Sequence, residues 1–252
     1  MSDASSESAR SPNAAPALPA GLRLYAVGDV HGRFDLLRRM ADLIRGDLAA
    51  HPPPRKSVEI FLGDYIDRGP QSCQVVDWLI DTPPLAGERI CLMGNHEDML
   101  LDALTDPGGF VNWLHNGGDA TLASYGVNVR PFAGRSRAAE FSTLLIESLP
   151  SRHRAFFENL PRMADFEPYL FVHAGIRPGR PIADQDPQDL MWIREQFLRS
   201  DMDFGRVVVH GHTPAEHPEI RHNRINLDTG AYFSGRLTCL VLEGTSRRFL
   251  HT

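Results

Sequence analysis

The chain reads as an α/β protein with a mostly parallel βαβ core. Three observations predict that class. In the first half, an apolar run of strand length gives way three times to a polar turn and then to a helical pattern. From about residue 106 to about 160, glycine turns separate helical stretches instead. Short strand-like runs then return and finish as a hairpin, which predicts a second sheet that is partly antiparallel.

Leu22 to Val27 is apolar enough for a strand and ends in Gly28-Asp29-Val30-His31-Gly32-Arg33. Leu36, Leu37, Met40, Leu43 and Ile44 then recur at helical spacing. After Pro52-Pro53-Pro54, a surface connection, Val58–Leu62 is the second strand, and Gly63-Asp64-Tyr65-Ile66-Asp67-Arg68-Gly69 follows it directly. Pro70 to Ile80 reads as a helix with proline near its first turn. Arg89 to Met93 is the third strand; it ends in Gly94-Asn95-His96-Glu97, with a helix expected from about Asp98 to Leu104. The helical insertion is expected in Phe110–His115, Ala120–Tyr125 and Arg137–Leu149, lying over the strand ends. Arg152, His153 and Arg154 are expected on a solvated helix face. Later strands, Tyr169–Val172, Arg206–Val209 and Ile225–Leu227, lead into turns carrying His173, His210 with His212, and Asp228. One helix is expected over Asp186–Leu198, and Arg236–Glu243 with Arg247–Leu250 form the terminal hairpin.

The chain has 252 residues, enough for one large domain, and 42% hydrophobic with 23% charged residues is ordinary for a soluble globular protein. A net charge of −6 and the lack of a basic stripe argue against a broad nucleic-acid-binding face. The three cysteines, Cys73, Cys91 and Cys239, form no CxxC pair, so neither a disulfide framework nor a thiolate zinc site is expected, and a reducing cytoplasm fits. No apolar run approaches the roughly 20 residues of a membrane helix. Met1 to Ala20 is rich in Ser, Ala and Pro and lacks the basic start and apolar core of a secretory signal. A disordered tail over residues 1–21 and a domain over 22–252 are expected.

Five strand ends thus carry Asp29 and His31, Asp64, Asn95 and His96, His173, and His212. These are oxygen and imidazole donors, the set a hard or borderline divalent metal wants. Two carboxylates and a guanidinium within Asp64–Arg68 concentrate charge that a ligand must compensate: Asp64 can bind metal, Arg68 a dianion, and Asp67 can orient a third group. Turn chemistry alone explains any one of these residues, but not the same event at five strand ends.

The motifs Gly28-Asp29-Val30-His31-Gly32, Gly63-Asp64-Tyr65-Ile66-Asp67-Arg68-Gly69 and Gly94-Asn95-His96-Glu97, followed by the later histidine turns, resemble those of the calcineurin-like metallophosphoesterases. Within them the best match is the phosphoprotein phosphatase family, which includes serine/threonine phosphatases and the symmetrical diadenosine tetraphosphate hydrolases. The resemblance spans Leu22 to about Glu243. It implies a four-layer α/β/β/α sandwich of two mixed sheets. It also implies two divalent metal ions, manganese first, with iron, zinc, cobalt or nickel as alternatives.

By that resemblance Asp29, His31 and Asp64 hold one metal, and Asp64 bridges to a second that Asn95, His173 and His212 complete. His210 is the rival for the last place; the family's ligand follows Gly and precedes Thr, which favours His212. The nucleophile is then a metal-bridging hydroxide. His96 protonates the leaving oxygen, and Asp67 orients His96. Arg68 grips phosphate oxygens, Asn95 lies at the substrate, and Arg194, in Asp189-Leu190-Met191-Trp192-Ile193-Arg194, is the second phosphate-binding arginine, with Arg177 a weaker candidate. Asp228 is either a partner of a ligating histidine or a turn residue, and Tyr232 either lines the substrate mouth or packs. The implied activity is phosphomonoester hydrolysis, with a serine/threonine phosphoprotein or another small phosphorylated molecule as substrate. The alternative is symmetrical hydrolysis of a dinucleoside polyphosphate; Asn112 to Tyr125, with Trp113 and Tyr125, would offer a wall for either substrate. A nucleic-acid phosphodiesterase and an inactive phosphate-binding module fit less well. Neither a membrane nor a regulatory subunit is implied.

Overall fold

The structure, a computed structural model, describes residues 16–52, 55–127 and 138–252. The predicted α/β class holds, with two mixed five-stranded sheets. The first takes its parallel centre from β1 (Leu22–Val27), β2 (Lys56–Phe61) and β3 (Gly87–Cys91). The C-terminal hairpin, β9 (Thr238–Glu243) and β10 (Ser246–His251), adds antiparallel to β1. The second sheet centres on parallel β5 (Tyr169–Val172), β6 (Val207–His210) and β8 (Arg224–Asn226). Antiparallel β4 (Met163–Phe166) and β7 (Glu219–Ile220) close its two edges. Neither edge strand was expected from the sequence: β7 is two exposed residues with no periodicity to read.

Side-chain alternation along each strand sets the layers. Leu24 and Ala26 of β1 face Tyr169 and Phe171 of β5 in one core between the sheets. Tyr25 and Val27 face the other way, into a second core. There they meet Leu36, Leu37, Met40 and Ile44 of α1 (Phe34–Ala50) and Val75, Val76 and Leu79 of α2 (Ser72–Asp81). Leu170, Val172 and Val208 face a third core with Leu190, Ile193 and Phe197. The result is helix, sheet, sheet, helix.

Strand order puts the carboxyl ends of β1, β2, β3, β5 and β6 on one edge of both sheets, where ligands bind in such folds. Most of the described residues in 107–158 are helical: α3 (Asn95–Ala103) is followed by α4 (Pro107–Trp113), a wider turn at Leu114–Gly118, α5 (Asp119–Ser124), α6 (Ala138–Ser148) and α7 (Ser151–Glu158). The wide turn meets the loop after β2 through Arg68 N–H donating to Gly117 O, 3.1 Å.

Several expectations need correction. The single helix over Asp186–Leu198 is two, α8 (Pro187–Trp192) and α9 (Glu195–Leu198). Ile193 turns extended at ψ 141° and Arg194 stands outside both helices. His153 is not solvated: it is buried between Tyr125 Oη at 2.8 Å and Asp77 at 3.0 Å. Residues 1–15 of the expected tail and Arg137 lie outside the described residues. Within Pro16–Gly21, Leu18 is buried in the inter-sheet core, and its N–H donates to Gly244 O.

Candidate dinuclear metal centre

The loop after β2 is the scaffold of the site. Asp64, Asp67 and Arg68 adopt φ of 52°, 71° and 67°, the left-handed region that L-residues avoid. His31 and His212 do the same at 45° and 66°, and among the described residues these are all the non-glycine cases. Such strain persists only where surroundings over-determine it. Here Glu97, fully buried, accepts from Asp64 N–H at 2.8 Å, Tyr65 N–H at 2.8 Å and Gly94 N–H at 3.1 Å. Gly63 (φ 104°) must be glycine: a Cβ there would lie 2.6 Å from Gly94 N. The loops after β2 and β3 are thereby locked together.

Asp64 lies at the middle of the histidines. Its Oδ2 is 3.4 Å from His31 Nε2 and 3.8 Å from His96 Nε2; its Oδ1 is 3.3 Å from His173 Nε2. Asn95 Oδ1 lies 2.9 Å from His173 Nε2 and 2.8 Å from His212 Nδ1. Asp29 Oδ2 accepts from His212 N–H at 3.0 Å. Two buried donor groups result, His31–Asp64–His96 and Asp64–His173–His212, each with its donor atoms within 4.8 Å of one another. Asp29 falls outside both groups, but its Oδ1 is buried without a hydrogen-bond partner, as is His212 Nε2.

This set fits divalent metal. His31 Nδ1–H donates to Ile66 O and His173 Nδ1–H to Leu62 O, each at 2.9 Å, which leaves both Nε2 lone pairs facing Asp64. Burial pushes His31 down to about 3 and His212 down to about 2, so both are neutral imidazoles, the ligating form, at neutral pH. A cation already approaches one lone pair: Arg68 Nη1 is 2.9 Å from His31 Nε2. His210, the rival of His212, is buried against Phe197, with Nδ1 bonded to Gly211 O, and belongs to neither group.

His96 is organised differently. Its Nδ1 is 2.7 Å from Asp67 Oδ2 in a fully buried pair. Burial works against its charged form, but Asp64 and Asp67 outweigh that, so its pKa is raised above the ordinary value. Asp67 is held in turn by Trp113 Nε1–H at 2.8 Å and by the Thr121 hydroxyl at 2.6 Å. Trp113 is therefore no substrate wall: it is buried and donates to a carboxylate. Tyr125 is committed to His153. Thr121 and Glu97 were missed by sequence reading. A buried indole N–H or carboxylate demands partners, but no spacing rule names them.

The arginines separate. Arg68 reaches the centre and lies over the Tyr232 ring, 4.8 Å from its centroid. Arg194 is exposed, and among the described residues no side chain pairs with it; its charge is near enough to lower the His173 and His212 pKa values. Arg177 is instead bound to Asp189, at 2.6 Å from Nε, and to Gln196. Asp228 Oδ1 accepts from Gly230 N–H at 2.9 Å, so it shapes its turn, and the site groups that act on its carboxyl are Asp64, Arg68 and Asp29 rather than a histidine.

The family profile described as calcineurin-like phosphoesterase matches residues 22–236. The asymmetrical bis(5'-nucleosyl)-tetraphosphatase PrpE of Anoxybacillus flavithermus is 29% identical over 240 residues, covering 85% of this chain and 88% of that protein. The protein of the same name from Bacillus cereus strain Q1 is 28% identical over 238 residues, with the same coverage. Among solved structures, the cold-active protein-tyrosine phosphatase of a psychrophilic Shewanella matches in fold with a TM-score of 0.61 at 17% identity, over 93% of this chain and 83% of that one.

Proposed function

This chain belongs to the calcineurin-like phosphoesterase family, and from that premise we propose that it is a dinuclear-metal hydrolase of dinucleoside tetraphosphates that cleaves them asymmetrically. One observation carries the chemistry: His96, a buried histidine within one of two His/Asp donor groups that share Asp64, is the one held through Nδ1 by a second carboxylate, Asp67. The relatives named for asymmetrical bis(5'-nucleosyl)-tetraphosphate cleavage, aligned over most of their length, support this substrate over the phosphoprotein and over symmetrical cleavage.

In this reading Asp29, His31, Asp64, Asn95, His173 and His212 hold two divalent ions. Such ions polarise phosphoryl oxygens and lower the pKa of water toward about 7. His96 gives its proton to the leaving oxygen. Asp67 favours the protonated form of that imidazole and fixes its ring through Nδ1. Arg68 and Arg194 take phosphate oxygens from two sides, and Arg68 can release His31 Nε2 to do so because its guanidinium is only partly buried.

The same acid and arginines serve a phosphomonoester, so the deciding experiment is a comparison of kcat/KM on metal-reconstituted enzyme. Diadenosine tetraphosphate is set against phosphoserine, phosphothreonine and phosphotyrosine peptides. A large advantage for the dinucleotide, with ATP and AMP as products, is expected. A large advantage for any peptide makes the protein a phosphatase, and two ADP products place it with symmetrical hydrolases.

A further inference from the structure

Few large apolar side chains are exposed among the described residues; Tyr232 at 36% and Trp192 at 37% pack on histidines of the metal centre, and Phe233 at 64% packs on Tyr232. They stand on opposite flanks. Tyr232 packs edge-on against His31, with centroids 5.3 Å apart, and His31 faces Asp64 Oδ2. Trp192 packs edge-on against His212 at 6.3 Å, and His212 belongs with His173, which faces Asp64 Oδ1. The Tyr232 flank is also the acid's flank, because the His96 and His31 rings are 4.7 Å apart.

The Tyr232 flank is a built surface. Tyr232 and Phe233 lie on α10 (Ala231–Ser234), their rings perpendicular and 4.9 Å apart. Arg33 Nη1 donates to Ala231 O at 2.8 Å and ties this turn to the loop that carries His31. Phe233 folds across Gly230, where a Cβ would lie 2.1 Å from the ring. Aromatic rings held open beside a phosphate site suit a nucleobase, which stacks on them regardless of its identity.

Resting on the dinucleoside tetraphosphate reading, we infer that Tyr232 and Phe233 bind the nucleobase of the departing nucleotide, and that their closeness to His96 directs attack to the β-phosphorus of that half. A base stacked there is separated from His96 by a single imidazole, that of His31. One ribose and one phosphate bring the α–β bridging oxygen to His96. That short span, two ring contacts of 5.3 and 4.7 Å, favours departure of a nucleoside monophosphate over a diphosphate. The retained half extends the other way, toward Arg194 and Trp192. The step balances: a water oxygen bonds to the β-phosphorus, and the bond from that phosphorus to the α–β bridging oxygen breaks. The bridging oxygen stays on the nucleoside monophosphate and takes the His96 proton. The water proton goes to solvent, from which His96 is recharged, and a nucleoside triphosphate remains.

Hydrolysis of diadenosine tetraphosphate by the metal-loaded enzyme in H2(18)O tests this directly. Label is expected in the γ-phosphate of ATP and not in AMP; label in AMP, which marks attack at the α-phosphorus, overturns it. Two ADP products would overturn the underlying reading as well, and are distinguishable from both. In addition, Phe233→Ala and Tyr232→Ala are each expected to raise KM for the dinucleotide about tenfold, and Tyr232→Phe, which keeps the ring, to recover most of that loss. Phe233 is the cleaner site, since Tyr232 also touches Arg68. For Phe233→Ala the inhibition constant of inorganic tripolyphosphate, which has no base, should not move. ATP and AMP products with unchanged KM in both alanine variants would refute the platform while leaving asymmetrical hydrolysis standing.

Discussion

Asp67→Asn isolates the charge behind the acid. Asp67 Oδ2 meets both His96 Nδ1 and Trp113 Nε1, while Oδ1 meets Thr121. An asparagine can place its oxygen at the first position and its amide toward the Thr121 hydroxyl, so the geometry survives and only the charge is lost. A hydrogen bond to a charged group is worth about 1.5–3 kcal/mol. Removing that stabilisation from the imidazolium lowers the His96 pKa. The sign follows from the role: a general acid works protonated, so kcat falls as pH rises through its pKa. Since the Asp67 bond helps to raise that pKa, the variant's alkaline limb should move to lower pH. The assay is kcat against pH on diadenosine tetraphosphate and on 4-nitrophenyl phosphate, whose good leaving group needs little acid help. It is paired with an NMR titration of the His96 ring in metal-free protein. If that pKa drops while the dinucleotide limb stays in place, His96 is not the acid.

Three other substitutions probe neighbouring parts of the site. His96→Asn should keep its metal content and lose about 10²–10⁴-fold in kcat on substrates with poor leaving groups; unchanged turnover would remove His96 from the chemistry. Asp64→Asn withdraws charge from the carboxylate that stands between His31 and His173, so elemental analysis should find both ions depleted, and two tightly bound ions per chain would show that the bridge lies elsewhere. Glu97→Gln leaves one acceptor oxygen for N–H groups that now meet two, and urea denaturation should register a loss of about 1–3 kcal/mol; an unchanged midpoint would mean that Glu97 does not hold the loops.

The parts of the site legible in the sequence were local. Gly63-Asp64-Tyr65-Ile66-Asp67-Arg68-Gly69 puts charge directly after a strand, and strand ends converge in any sheet of this class. Illegible parts reach across the chain. Trp113 and Asp67 are 46 residues apart, and Thr121 and Asp67 are 54 apart. An indole in a helical stretch looks the same whether it lines a mouth or holds a carboxylate. Helical periodicity also ran straight through Ile193 and Arg194, because neither is a strong breaker; the chain turns extended there, and Arg194 is left outside both helices.

By itself the sequence determined the α/β class, the strands that carry donors, and the kinds of donor gathered there. Those follow from periodicity and from residue chemistry, which are properties of neighbours along the chain. Only the tertiary structure decided that Trp113 and Thr121 hold Asp67, that His210 packs against Phe197 away from the donor groups, and that Tyr232 and Trp192 occupy opposite flanks. It also decided that five site residues hold positive φ. That backbone form is unfavourable for each residue locally, and it is sustained by contacts such as Glu97 on the Asp64 loop, which arise only when distant segments pack.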